Sequence, residues 1–208
     1  MGLPGFPLGS LVATPPAVTE SDASVTFRLR DTEESRKIWD FKFILDFKVV
    51  LEKDKLRLEL NLENTGNKEI IFTTALHTYF RVDDVTASRV SGLTGLQFVD
   101  KTISGTPTLP ETRDKVELTG WTDRVYLGPA PPLTVEGVSG GRVELTSSGL
   151  PDAVVWNPWK EKAGEMSDLG GEVWPSFLCV EAGQCVQPIH VQAGQNWSAV
   201  HTIQYTQN

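Results

Sequence analysis

From Phe41 to Leu51 the chain alternates: Phe41, Phe43, Leu45, Phe47, Val49 and Leu51 fall on one side, with Lys42, Asp46 and Lys48 between them. Period two is the signature of a half-buried strand, because successive side chains of an extended backbone point to opposite faces. Leu56, Leu58, Leu60 and Leu62 repeat the pattern against Arg57, Glu59 and Asn61, and Lys53-Asp54 between the two runs predicts a hairpin. A turn cluster follows at Asn64-Thr65-Gly66-Asn67, then an extended run over 69–82. Further strands are expected over 25–29, 134–138, 142–146, 153–156, 177–181, 186–191 and 197–205, with turn residues at short intervals. Only 160–169 has the makings of a short helix. Strands without crossover helices predict an all-β protein, an antiparallel β-sandwich and not a parallel α/β sheet.

Length and charge narrow this picture. The 208 residues suit one large all-β domain, expected over 21–208, with residues 1–20 as a flexible Pro/Gly-rich lead-in. Nineteen basic against 27 acidic residues give a formal charge of -8, which repels nucleic acid, and no basic run offsets it. No apolar stretch approaches the roughly 20 residues of a membrane-spanning helix. The uncharged start lacks the features of a secretory signal or an Arg-rich transit peptide, so a cytoplasmic or organellar stroma/matrix location is expected and secretion is not. Two cysteines, Cys179 and Cys185, are too few for a disulfide scaffold and lack the spacing and histidine partners of a zinc motif. They read as core or strand residues in a reducing compartment, and no metal site is expected.

Three places carry candidate chemistry. His77 sits in Ala75-Leu76-His77-Thr78-Tyr79-Phe80, on an expected strand among aromatic neighbours; on spacing alone it is either a hydrogen-bonded structural residue or a catalyst. Glu181 ends the apolar run 177–181 before Ala182-Gly183, so a strand delivers a carboxylate to its end beside a glycine turn, with a solvated strand-end charge as the other reading. In Trp156-Asn157-Pro158-Trp159, two flat apolar rings flank a polar amide. That combination suits a sugar, which has an apolar face and a polar rim, and equally suits a packed corner. His190 and His201 read as structural.

Taken in order, Leu76-His77-Thr78-Tyr79-Phe80, the 91–102 segment Ser-Gly-Leu-Thr-Gly-Leu to Asp100-Lys101-Thr102, Asp123-Arg124-Val125-Tyr126-Leu127, Val155-Trp156-Asn157-Pro158-Trp159 with Glu161-Lys162-Ala163 and Met166-Ser167-Asp168, and Cys179-Val180-Glu181 resemble the glucose-6-phosphate 1-epimerases, including the plant apospory-associated protein C group. The resemblance covers residues 21 to the C-terminus and implies a β-sandwich of the galactose-mutarotase type. It also implies a general acid at His77, a general base at Glu181 and a sugar contact at Asp123, to which Trp156 and Asn157 are added as substrate-binding candidates. The implied reaction interconverts the α and β anomers of a hexose 6-phosphate by proton transfers that open and reclose the ring, and such chemistry calls for no cofactor. Glu181 is expected ionised and His77 protonated near neutral pH.

The family's upstream Pro-Gln-His-Gly-Phe-Ala-Arg motif has no match in residues 1–40, so early strands of the sandwich are expected to be missing and Arg36, Lys37, Arg81 and Arg89 become the candidate phosphate ligands. An exposed sheet edge would then need cover, from a protein partner or from the apolar N-terminal segment. Two other functions fit the same residues: a catalytically lapsed subunit with a structural role in an assembly, and a non-enzymatic sugar-binding module using Trp156, Trp159 and Asp123.

Overall fold

The computed structural model describes residues 12–128, 132–166 and 169–207. The expected lead-in at 1–11 and the Ser167-Asp168 part of the family-like block lie outside the described residues. The chain is all-β, an antiparallel sandwich of two sheets, and it divides into two compact units.

The first unit holds residues 12–72 and Pro188–Val200. Its centre is an antiparallel ladder of β3 (Asp22–Arg30), β4 (Phe43–Glu52) and β5 (Lys55–Asn64). The alternation sets the register: Leu29, Leu45 and Leu62 stand in one row, Phe27, Phe47 and Leu60 in the next, and Val25, Val49 and Leu58 in a third. Such cross-strand apolar rows are the unit of sheet stabilisation. The expected hairpin forms at Lys53-Asp54, and Leu51 beside it, counted with the inward set, is 58% exposed.

Phe43, Leu62, Ile70, Ile189 and Val191 make the buried core of this unit, with Trp39, Phe41, Phe72 and Trp197 packed against it. Asn64 explains the turn cluster: it is buried, its Nδ2 donates to the carbonyls of Lys68 and Val191 and its Oδ1 accepts from the Gly66 amide. Two short strands, β1 (Val12–Ala13) and β2 (Ala17–Val18), pair with β3, so the described part of the lead-in lines the edge of that strand.

One helix escaped the sequence reading. Residues Glu33–Ile38 form α1, capped by Thr32 and Ser35, each of whose hydroxyls accepts from the other's backbone N–H. Two acids open it and two bases close it, matching the helix dipole.

The second unit holds Thr73–Gln187 and 201–207. Strand β6 (Ile70–Leu76) enters it and gives way to β7 (Tyr79–Arg81), followed by β8 (Arg89–Ser91), β9 (Gln97–Asp100), β10 (Thr108–Pro110), β11 (Lys115–Glu117), β12 (Thr122–Tyr126), β13 (Leu133–Val138), β14 (Gly141–Ser148), β15 (Asp152–Asn157), the short helix α2 (Trp159–Ala163), β16 (Phe177–Val191) and β17 (Asn196–Gln207). In this unit one sheet runs β14–β13–β8–β11 and the other β10–β9–β12–β15–β16, with β7 also on β16. Between them lies a core that includes Val90, Val116, Val135 and Leu145 from the first sheet and Phe80, Phe98, Tyr126, Val155, Leu178 and Val180 from the second. Among the described residues no helix is long and apolar enough to cross a membrane; this says nothing of a β-barrel.

Two boundaries differ from the sequence reading. The extended run 69–82 is not one strand: it breaks at His77-Thr78, where the Thr78 amide turns back onto the Leu76 carbonyl at 2.9 Å. Conversely 177–181 and 186–191 are one strand of fifteen residues, so Glu181 lies within a strand and not at its end. Gly183 marks no turn. A Cβ there would come within 2.9 Å of the Thr74 carbonyl oxygen and 2.7 Å of Cys185 Sγ, so the glycine serves close approach of neighbouring backbones.

Candidate active site

Register across the second sheet brings the candidates together. Asp123 on β12 stands opposite Trp156 on β15, Trp156 opposite Cys179 on β16, and Cys179 opposite Tyr79 on β7. Side chains directly opposite share a face, and the pleat puts Phe177 and Glu181 on it too. The residues between, Tyr126, Val155, Leu178, Val180 and Phe80, point into the core. The candidate site is therefore the outer face of this sheet, floored by one row of side chains from four strands.

His77, in the break between β6 and β7, leans over this row with its Nδ1 3.2 Å from Glu181 Oε1. Its ring is stacked on Tyr79, centroids 4.7 Å apart and planes at 9°, and meets Trp156 edge-on at 5.6 Å. Tyr79, Trp156 and Phe177 contact one another at 5.3–6.2 Å, an aromatic wall beside the acid–base pair. His77 is half-exposed whereas Glu181 is buried.

The electrostatics differ from expectation. Burial pushes the Glu181 carboxyl up to about 7, helped by the nearby Asp123 charge and opposed by Lys101. Burial also lowers His77, against the raising effect of Asp123. Asp123 is itself raised, first by burial. Near neutral pH Glu181 is thus partly protonated, and His77 is more readily neutral than the free side chain, because desolvation disfavours each charged form.

Asn157 and Trp159 take no part in this face. Asn157 is fully buried, its Nδ2 donates to the carbonyls of Trp174 and Phe177 at 2.9 Å, and its Oδ1 accepts from the Trp159 amide at 2.8 Å. No amide hydrogen is left for a ligand; the side chain ties the corner after β15. Trp159 packs on Trp174 at 4.5 Å beside the core, so of the two tryptophans only Trp156 reaches the site. His190 bonds Glu69 at 3.0 Å and the buried His201 bonds Ser147 at 2.9 Å.

Three neighbours were not singled out from sequence: Tyr79, Lys101, whose Nζ is 3.9 Å from Asp123, and Cys179. Counting by twos from Glu181 finds Cys179, and from His77 finds Tyr79. Nothing local points to Lys101, which reaches the site because β9 pairs with β12. Of the four basic candidates, Arg81 lies opposite Phe177 on the strand of Tyr79, while Arg36, Lys37 and Arg89 are engaged with Asp31, Glu34 and Glu117.

A second buried carboxylate lies elsewhere in the unit. Glu111 accepts two bonds from the Arg113 guanidinium, at 2.5 and 2.8 Å, and one from the Tyr126 hydroxyl at 2.8 Å, and these donors outweigh burial and hold it down to about 2.

The site is thus one face of a sheet in a two-sheet antiparallel sandwich, carrying histidine, glutamate and aspartate beside an aromatic wall. The family model for aldose 1-epimerase matches residues 10–204, and the chain belongs to that family. It is 34% identical over 179 residues to a protein of Cenchrus ciliaris named "Putative glucose-6-phosphate 1-epimerase", covering 84% of this chain and 54% of that one. A Salmonella typhimurium protein of the same name is 31% identical over 180 residues, covering 81% and 55%. The chain thus spans about half the length of the curated relatives it matches. Among solved structures, a "putative mutarotase (YeaD)" of Salmonella typhimurium superposes with a TM-score of 0.86 at 25% identity, over 95% of this chain and 65% of that one. Slr1438 protein of Synechocystis shares the fold at TM-score 0.77 and 16% identity, over 95% and 66%.

Proposed function

We propose that the protein interconverts the α and β anomers of a hexose 6-phosphate, with Glu181 and His77 exchanging the protons. The observation that carries the reading is the 3.2 Å approach of His77 Nδ1 to Glu181 Oε1 on a sheet face bordered by Asp123 and aromatic rings. The two oxygens that change protonation in ring opening, the anomeric hydroxyl and the ring oxygen, are bonded to the same carbon. Two groups in contact with each other can therefore serve both.

Ring opening needs a base at the anomeric hydroxyl and an acid at the ring oxygen: ionised Glu181 takes the one proton while protonated His77 gives another, and the ring C–O bond breaks to leave the aldehyde. This leaves Glu181 protonated and His77 neutral, the state that recloses the ring after the aldehyde has turned its other face. Both states hold one proton between two groups, and a raised Glu181 beside a lowered His77 narrows the gap between them. Asp123 is assigned to the sugar hydroxyls, and Tyr79 and Trp156 to the apolar face of the ring. The 6-phosphate is brought in from the names of the relatives; Arg81 and Lys101 are the cations beside this face that suit it.

The test is anomer exchange of glucose 6-phosphate at equilibrium, followed by NMR, with purified protein and with the His77→Asn/Glu181→Gln double variant. Exchange far above the spontaneous rate, lost in the double variant, is the expected result. Background exchange by the folded wild type overturns the reading in favour of a lapsed structural subunit, and an unchanged rate in the double variant overturns the assignment of the two groups.

A further inference from the structure

Cys179 has no part in the proton transfers, yet it stands at the centre of the floor. It lies opposite Trp156 and Tyr79 and two residues before Glu181, so the pleat turns its sulfur to the same face as the acid–base pair. Its Sγ, a ring nitrogen of His77 and a carboxylate oxygen of Glu181 all lie within 4.8 Å of one another. The chain lacks a zinc-motif spacing because the three donors come from two places 102 and more residues apart, His77 against Cys179 and Glu181, and only the sheet register unites them.

The donor set is selective. Thiolate and imidazole suit zinc and its soft neighbours and are poor ligands for magnesium or calcium, which take oxygen. Two ligands at about 2.0–2.1 Å from a tetrahedral zinc stand about 3.3 Å apart, close to the 3.2 Å between His77 Nδ1 and Glu181 Oε1. Cys179 is fully buried and Glu181 nearly so, whereas His77 is half-exposed, so an ion reaches the sulfur from the solvent side, past the imidazole. Three protein ligands with the fourth position open is the arrangement of an exchangeable zinc site and not of a closed structural one.

We propose that His77, Cys179 and Glu181 form a binding site for a thiophilic divalent cation, with Zn2+ as its representative, and that the bound ion shuts the site. Binding forms the S–Zn bond as the thiol proton and the proton shared by the His77–Glu181 pair leave to solvent, while the imidazole nitrogen and the carboxylate oxygen each donate a lone pair; nothing is oxidised or reduced. The ion then holds the lone pairs that the anomer exchange needs. That inhibitory consequence rests on the proposed function, but the binding does not.

The experiment uses metal-stripped 1–208 protein titrated with Co2+, Zn2+ and, as a control, Mg2+. Expected are one Co2+ per chain with a thiolate-to-cobalt charge-transfer band, displacement of that band by Zn2+, and no competition from Mg2+. Cys179→Ser loses the band and weakens zinc binding by at least the roughly 10–100-fold that loss of an outer-shell partner already costs. Glu181→Gln retains the band with weakened binding. Zinc stops anomer exchange in wild type, a chelator restores it, and the exchange that metal-free Cys179→Ser retains resists zinc. Saturating cobalt without a thiolate band, or unaltered zinc affinity in folded Cys179→Ser or Cys179→Ala, overturns the site. If the band and its loss are seen but the metal-free protein never accelerates exchange, the site stands and the proposed function fails.

Discussion

Glu111 and Glu181 belong to the same unit, are 3% and 6% exposed, and are displaced in opposite directions, down to about 2 and up to about 7. Burial works against ionisation in both, so depth does not separate them. Company does. Glu111 is surrounded by an Arg113 fork and the Tyr126 hydroxyl, donors that have no other task at that carboxylate. Glu181 has a like charge, Asp123, within range and a titratable neighbour, His77. A carboxylate so supplied with fixed donors is a fastener. One buried and left to share a proton is poised for chemistry, at the cost of some folding stability.

The strongest way to break this contrast is to neutralise each carboxylate. Glu181→Gln should slow anomer exchange by about 10²–10⁴-fold, the usual worth of a positioned acid–base group, without loss of folding stability; an unfolded variant or an undiminished NMR exchange rate would make Glu181 another fastener. Next comes Arg113→Met, which removes the fork and leaves Glu111 buried and unpaired. A loss of about 3–5 kcal/mol is expected by denaturant titration, toward the low end because Arg113 is 40% exposed. Anomer exchange by the remaining folded protein should be unaffected.

The two glutamates should also give opposite slopes of stability against pH. Glu181 is raised from 4.5, so it costs nothing below that value, and its cost grows to no more than about 3 kcal/mol as pH rises through 7. Glu111 is lowered from 4.5, so its stabilisation is present above that value and is lost as pH falls toward 2. Their summed contribution is largest near 4.5, and Glu181→Gln should abolish only the neutral-side slope in denaturant titrations run pH by pH. The smallest effect expected is from Tyr126→Phe, which removes a bond to a charged acceptor at about 1.5–3 kcal/mol and should move the acid-side slope to higher pH.

The sequence was most legible where one face is wet and one dry. The runs at 41–51 and 56–62 announced β4, β5 and their hairpin because period two was unbroken. The five strands β8 to β12 were not read, since three to five residues such as Arg89–Ser91 or Lys115–Glu117 are too short to show a period. The Thr32/Ser35 capping pair was legible in principle, but a helix of six residues has little pattern beyond its caps. At the site, family-like motifs led to His77, Asp123, Trp156 and Glu181, and the fold collects all four on one face. Asn157, read from sequence as a substrate contact, has both amide hydrogens engaged at the corner after β15, since an amide that ties a corner and one that meets a sugar look alike until its hydrogen bonds are counted. The glycine after Glu181 was misread as a turn because sequence does not reveal how closely the Thr74 backbone approaches.

Strand β16 passes from one unit into the other, and this sets an order of events on the ribosome. His77, Asp123, Trp156, Cys179 and Glu181 have all been synthesised once residue 181 is joined, whereas the first unit still lacks Ile189, Val191 and Trp197 from its core. Contacts spanning from Ile70 to Ile189 are the kind that slow folding, since the intervening chain must be ordered before they form. A nascent chain paused before residue 188 would therefore carry every proposed catalytic group while the unit of Ile70 waits for residues 188–200, and apolar surface left uncovered in that interval is what a chaperone would protect.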